Sequence, residues 1–168
     1  MRRDIRFIIL LAITVMLFMV FVFPAFNIFQ ESKVKLLDEH FFYTPDEAVA
    51  CLQGLGAEGR RTYVLVAAVV DMIYPIIYCL LFYLTISVLL TPASRWKWIA
   101  WLPGVLDALE NIFTLIMLGM YPGIHRNVAL LGGLFNGMKW IAVALVVLFI
   151  LALLIRKLIF HKNEQQST

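Results

Sequence analysis

Four long apolar runs constrain this chain more than any other feature of its sequence. They cover residues 7–26, 63–90, 98–120 and 128–155, and a helix needs roughly 20 apolar residues to cross a bilayer. Hydrophobic residues make up 62% of the 168 positions and charged residues only 15%, far from the balance of a soluble domain. A run of this kind satisfies its backbone hydrogen bonds in hydrocarbon as a helix. The sequence therefore predicts an all-α membrane protein, a four-transmembrane-helix bundle that forms a single membrane domain.

The connection between the first two runs, residues 27–62, is the one long polar segment and holds six of the eleven acidic residues. Within it, Thr44, Pro45 and Glu47 have the spacing of an N-cap, a first helical residue and a capping-box partner. Apolar residues follow at helical spacing, and a glycine supplies the stop. We predict a short amphipathic helix that lies on the membrane surface or over the mouth of the bundle. A lid that controls access to the interior is the alternative.

The distribution of lysine and arginine predicts the orientation. Basic residues concentrate in the N-terminal head, in the connection between the second and third runs, and in the tail, residues 156–168. The positive-inside rule then places both termini in the cytoplasm and makes the loop 27–62 extracytoplasmic. The residues on the cytoplasmic side are Arg2, Arg3, Arg6, Arg95, Lys97, Arg156, Lys157 and Lys162.

Several functional classes find no support in the sequence. The net charge of +3 comes from basic ends that flank membrane spans, so it does not indicate a nucleic-acid partner. The two cysteines, Cys51 and Cys79, lie in a loop and deep in a span, which makes a disulfide between them implausible. No CxxC, HExxH, GxSxG or P-loop motif occurs. We therefore predict no metal and no cofactor, and the expected partners are membrane lipids.

The second run contains a carboxylate where hydrocarbon is expected. Asp71, Tyr74, Pro75 and Tyr78 are spaced i, i+3, i+4 and i+7, so they share one face of a helix. Pro75 has no backbone N–H, which leaves the carbonyl of Asp71 without its helical partner. At membrane depth these groups need polar partners from other helices.

The third and fourth runs supply such partners. Asp107, Glu110 and Asn111 are spaced i, i+3 and i+4 in the third run, and Asn136 and Lys139 are spaced i and i+3 in the fourth. With a rise of about 1.5 Å per residue, these groups and the carboxylate of the second run reach a similar depth. Each set also keeps to one face of its helix. The sequence thus predicts one buried polar cluster formed by three helices.

The cluster of three acids and one base has a formal charge of −2, which must be neutralised by protons, by a bound cation or by water. We expect Lys139 to contact Asp71, Glu110 or both, and we expect Phe113 and Phe135 to contribute to the aromatic walls of a pocket. The predicted ligand-binding residues are Asp71, Tyr74, Tyr78, Asp107, Glu110, Asn111, Asn136 and Lys139.

The favoured function is the binding of a small amphipathic or cationic ligand, or a lipid, at this cluster. One alternative is a proton-coupled carrier, which would be a homo-oligomer because four helices make a thin wall for a pathway. Another is a lipid isomerase in which Glu110 or Asp71 donates a proton and Lys139 adjusts the pKa of that donor. The last is a purely structural cluster that locks the helices together. The sequence alone names no catalytic residue.

Three segments carry a family resemblance: TPDEAVACLQGLGAEGRRTYVLVAAVVDMIYPIIY, LPGVLDALENIFTLIMLGMYP and NGMKW. From about Tyr43 to Trp140 the chain resembles an uncharacterised family of small four-span bacterial membrane proteins. That resemblance implies a four-span fold in a bacterial inner membrane and implies no reaction. A weaker likeness is to the sterol-isomerase and sigma-2-receptor superfamily, whose small bundles have cytoplasmic termini and acidic residues that face an internal lipid-binding cavity. The second likeness is an analogy of architecture.

Overall fold

The computed structural model describes residues 34–91 and 94–166, together with the helical positions 9, 12, 13 and 16. Apart from those four positions, the first predicted span, 7–26, lies outside the described residues, as do residues 27–33 of the connection. Helices dominate the described chain, and no strand occurs in it. The prediction of an all-α protein is confirmed to that extent.

Three helical segments are long and apolar enough to cross a membrane: Gly56–Leu89, Arg95–Met120 and Arg126–Lys157. They correspond to the second, third and fourth predicted spans. The last helix does not end with its span, because it continues into the tail as far as Gln166. The α-helices are α1 (Pro45–Gly54), α2 (Gly56–Leu65), α3 (Asp71–Leu89), α4 (Leu102–Met120) and α5 (Arg126–Gln166), with a π-helical turn at Val66–Val70 and a 3-10 helix at Arg95–Trp101.

Helix α1 begins and ends as its sequence predicts. The Oγ1 atom of Thr44 accepts a hydrogen bond from the backbone N–H of Glu47 at 3.3 Å, and the Glu47 carboxylate accepts one from the Thr44 N–H at 2.7 Å. These two bonds form the predicted capping box. The backbone N–H and the hydroxyl of Thr44 both donate to the Glu47 carboxylate, and these bonds lower the pKa of Glu47. Pro45 is the first helical residue. The helix ends at Gly54, and Gly56 adopts a positive φ of 65°.

Two apolar clusters pack the helices, one at the end of the bundle that carries α1 and one at the opposite end. Along α5, Ala129 belongs to the first cluster and Val146 to the second, with Asn136 and Lys139 between them. The polar layer therefore lies between two apolar layers. The buried members near α1 are Leu36, Leu37, Tyr43, Ala48, Cys51, Leu52, Leu55, Tyr63, Val66, Met117 and Ala129, and those at the opposite end are Ile86, Ala100 and Val146.

Residues 34–43, the inserted segment, do not behave as a polar surface loop. Leu37 and Tyr43 in this segment are fully buried. A Cβ on Gly132 would overlap the Tyr43 hydroxyl, and a Cβ on Gly133 would overlap the Tyr43 carbonyl oxygen. Small residues in membrane helices commonly bring two helices together, but here they admit a non-helical segment. The segment consequently packs directly on the backbone of α5.

Exchange of Gly133 for alanine tests this packing. Gly133→Ala should destabilise the protein by about 1–3 kcal/mol, because the new methyl group overlaps the backbone of Tyr43. Gly119→Ala is the matched control, since Gly119 is exposed on α4 with open space around its Cα. The control should be neutral, or more stable by up to about 1 kcal/mol from helix propensity. Thermal unfolding in detergent measures both, and equal melting temperatures would contradict the position of the inserted segment.

Candidate functional site

Helices α3 and α4 meet at the proline of α3. Because Pro75 donates no hydrogen bond, the carbonyl of Asp71 is free to accept one from Asn111 Nδ2, at 2.7 Å. Gly104 on α4 allows the two helices to approach closely, because a Cβ at this position would lie 2.6 Å from the sulfur of Cys79 on α3. The prediction that a neighbouring helix supplies a polar partner for this carbonyl is confirmed.

The π-helical turn Val66–Val70 ends immediately before Asp71, whose backbone N–H donates to the carbonyl of Val66. Such turns inside helices are rare and occur often at functional sites. The turn on one side and Pro75 on the other interrupt the regular α-helical bonding around Asp71. Its carboxylate is thus presented from a short irregular stretch of an otherwise continuous helix.

Lys139 forms the ionic centre of the polar layer. Its Nζ lies 2.9 Å from Glu110 Oε2 and 3.3 Å from Asp107 Oδ1. The predicted contact with Glu110 is confirmed, and the second partner is Asp107 rather than Asp71. The reason is connectivity: a short turn makes α4 and α5 antiparallel neighbours, and the two acids of α4, spaced i and i+3, both face Lys139.

Each of these carboxylates has a second partner on its other oxygen. The hydroxyl of Tyr78 donates to Asp107 Oδ2 at 3.0 Å, and the hydroxyl of Thr114 donates to Glu110 Oε1 at 3.3 Å. A buried ion pair survives desolvation only when such additional bonds satisfy its remaining lone pairs. The three side chains on α4 and α5 therefore form a charge group with its own supporting hydrogen bonds.

A cavity of about 590 Å³ lies beside this group. Along α3, Tyr74, Tyr78 and Phe82 form a ladder of ring contacts, with centroids 5.3 and 5.7 Å apart. Six of the eight predicted ligand-binding residues line the cavity: Asp71, Tyr74, Tyr78, Asp107, Asn111 and Lys139. The other lining residues are Asp38, Glu39, Leu81, Phe82, Trp140 and Val143.

Two of the eight predicted residues lie elsewhere. Glu110 is fully buried and contacts Lys139 without lining the cavity. Asn136 faces the inserted segment, where its Nδ2 donates to the carbonyls of Leu37 at 3.2 Å and His40 at 2.7 Å. It holds a loop that presents backbone carbonyls, which a search for polar helix faces does not detect.

The two phenylalanines expected in the pocket wall are also placed differently. Phe113 and Phe135 stack on each other with centroids 5.5 Å apart, and neither lines the cavity. Their side chains instead join α4 to α5. The aromatic wall of the cavity comes from α3 and from Trp140.

Asp38 is a cavity residue that the sequence reasoning missed. It lies in the 3-10 turn Leu37–Glu39 of the inserted segment, and its Oδ1 is buried without a hydrogen bond from any group that the structure describes. Burial raises the pKa of Asp38, Lys139 partly offsets this, and Glu39 adds to it. The available signal was local, since paired leucines directly before an acid are unusual for a solvated loop.

The charges around the cavity do not balance. Asp38, Glu39, Asp71 and Asp107 line it and Glu110 contacts Lys139, so five acids oppose one described base, a formal charge of −4 (−5 + 1) when all are ionised. In the described chain Lys139 pairs with the two acids of α4, and neither Asp71 nor Asp38 has a cationic side chain within salt-bridge distance. The described residues contain no group of three or more His, Cys, Asp or Glu side chains placed to hold a metal ion.

Comparison of the chain with protein-family models, with curated proteins and with solved structures gives no match. The resemblances to the four-span bacterial family and to the sterol-isomerase and sigma-2-receptor superfamily therefore stay predictions. Any functional conclusion rests on the geometry of the polar layer and its cavity.

Neutralising the ion group one member at a time tests whether Lys139 holds it together. Lys139→Met alone should cost about 3–5 kcal/mol of stability, because two buried carboxylates lose their counter-charge. Adding Asp107→Asn and Glu110→Gln should recover much of that loss, since the amides carry no charge and still accept hydrogen bonds from the neighbouring hydroxyls. Thermal unfolding in detergent at neutral pH gives the comparison. Losses that simply add up over the three substitutions would contradict the ion group.

Proposed function

We propose that this protein binds a small amphipathic cation in the cavity beside Asp71. The observation that carries the proposal is that Asp71 lines the cavity from a helix long and apolar enough to span a membrane. Lys139, the only cationic side chain among the described residues that line this cavity, is paired with other acids. An uncompensated carboxylate at this depth is unfavourable. A bound organic cation supplies the missing charge, and the absence of a metal-like donor group among the described residues favours an organic cation over a metal ion.

The lining of the cavity supports an amphipathic ligand. Asp71 and Asp38 contribute carboxylates, whereas Leu81, Phe82 and Val143 contribute apolar side chains further along α3 and α5. Aromatic faces near the acids suit a cation, since a ring face attracts positive charge. The volume of about 590 Å³ is typical of small-molecule sites. The ligand expected here has a charged head and an apolar body.

The alternatives receive less support from the same residues. A structural role describes Lys139 and Glu110 well, yet it does not explain a cavity lined by Asp38 and Asp71, neither of which forms an ion pair within the described part of the chain. A carrier requires a path across the membrane, and the cluster formed by Ile86, Ala100 and Val146 packs that end of the described bundle. A carrier would therefore require this cluster to open. It would also require the homo-oligomer that was considered for that role. A lipid isomerase would use the same acids and a neutral substrate.

Binding of radiolabelled dodecylammonium to the protein in phosphatidylcholine nanodiscs tests the proposal. After subtraction of protein-free nanodiscs, the wild type should show saturable binding, and Asp71→Asn should weaken it by about tenfold or more because the counter-charge is lost. Asp46→Asn makes the same charge change at an exposed position of α1 and should leave binding unchanged. Dodecanol should not compete. Non-saturable binding, or equal affinity in Asp71→Asn, would remove the proposal.

We further propose the location and topology in which this site works: four spans in a bacterial inner membrane, with both termini in the cytoplasm. The three apolar helices and the apolar run 7–26 support four spans. Cysteines introduced at Arg95 and at Ser167 should both react with a thiol reagent only after the membrane is permeabilised, whereas one at the exposed Glu58 should react in intact cells. Labelling of the first two from opposite sides would contradict this topology.

A further inference from the structure

We propose that Asp38 is a ligand-binding residue that selects ammonium groups carrying N–H donors over quaternary ammonium groups. The inference rests on the proposed function and specifies the chemistry of its ligand. Asp38 belongs to the inserted segment and not to a membrane-spanning helix. It reaches the cavity because that segment packs into the bundle.

The position of Asp38 is fixed by the residues around it. Asn136 donates two hydrogen bonds to the carbonyls of Leu37 and His40, which lie on either side of the turn that carries Asp38. Asn136 is ten residues after Arg126, the first residue of α5, which is about 15 Å along the helix. Leu37 is fully buried in the apolar cluster near α1. These contacts place the carboxyl of Asp38 in the wall of the cavity.

The carboxyl of Asp38 has unused hydrogen-bonding capacity. Its Oδ1 accepts no hydrogen bond from the described chain, although it is buried. Lys139, the cationic side chain among the described lining residues, is paired with Asp107 and Glu110. Rotation about the last side-chain torsion of an aspartate is soft, so either oxygen can turn toward a ligand. A buried acceptor in this state gains most from a charged donor.

Glu39 does not offer the same interaction. It also lines the cavity, but it is exposed, and its Oε2 accepts a hydrogen bond from the backbone N–H of Leu36 at 3.2 Å. The Glu39 carboxylate thereby caps the start of the 3-10 turn Leu37–Glu39. Of the two neighbouring acids, Asp38 is the one with an unsatisfied buried oxygen.

The preference for N–H donors follows from this vacancy in hydrogen bonding. A primary ammonium carries three N–H groups, so it can donate to the unsatisfied oxygen of Asp38 and keep donors for other acceptors that line the cavity. A trimethylammonium group has the same charge and no donor, and it leaves the Asp38 acceptor unsatisfied. A site built around a hydrogen bond discriminates strongly against an analogue that cannot form it. Aromatic contacts alone would accept both groups.

Competition between dodecylammonium and dodecyltrimethylammonium in phosphatidylcholine nanodiscs tests the inference. The wild type should prefer the primary ammonium by about tenfold or more. Asp38→Ala should bring the ratio of the two affinities close to one, mainly by weakening the primary ammonium. Asp38→Asn should keep part of the preference, because its amide oxygen still accepts a hydrogen bond. Asp46→Asn should leave the ratio unchanged, and Asp71→Asn should weaken both ligands.

The outcomes separate the two levels of the argument. A wild type that binds both ammonium ions with equal affinity, or an Asp38→Ala variant that keeps the full preference, overturns the role of Asp38 while the proposed function stands. A wild type that binds neither ion overturns the proposed function. The wild-type ratio is measured without any substitution, so the inference remains testable if a variant fails to elute as folded protein.

Discussion

The ion group of Lys139 with Glu110 and Asp107 is the interaction on which the arrangement of this protein depends. It holds α4 and α5 in one register, because the two acids spaced i and i+3 both reach the same ammonium. It also pairs Lys139, a cationic side chain that lines the cavity, with the two acids of α4. The carboxylate of Asp71 on α3 is left facing that cavity without a partner of opposite charge in the described chain. Because Lys139 stabilises the contact between α4 and α5, it does not compensate the charge of Asp71 on α3.

Apolar clusters border this polar layer on both sides. On one side, Asn136 donates a hydrogen bond to the backbone carbonyl of Leu37, and the Leu37 side chain belongs to the apolar cluster near α1. On the other side, the cluster around Ile86 packs α3 against α5 and the 3-10 helix. Apolar side chains pack at both ends of the layer, so its buried charges interact more strongly than charges in water. A small number of polar groups can therefore determine what the cavity accepts.

The sequence predicts those features that follow from helix periodicity and local backbone chemistry. The Asn111 bond to the Asp71 carbonyl follows from the missing N–H of Pro75, and the contact of Lys139 with Glu110 follows from depth and face. Asp38 escapes such reasoning, because a non-helical segment has no period that assigns a side chain to a face. For Phe113 and Phe135 the sequence predicts the correct helices but the wrong surroundings, because the face of a helix that packs on its neighbour depends on the rotation of that helix.

In the proposed membrane topology, the distribution of charge between α4 and α5 has a consequence for insertion into the bilayer. Helix α4 carries Asp107 and Glu110, and each acid near the centre of a lone helix costs about 2.5–3.5 kcal/mol to insert. Helix α5 carries Lys139, with a similar penalty of its own. Only a short turn separates the two helices, so in the proposed topology a hairpin of α4 and α5 would enter the bilayer with its charges already paired. Insertion as such a hairpin would avoid the penalty that each helix carries alone.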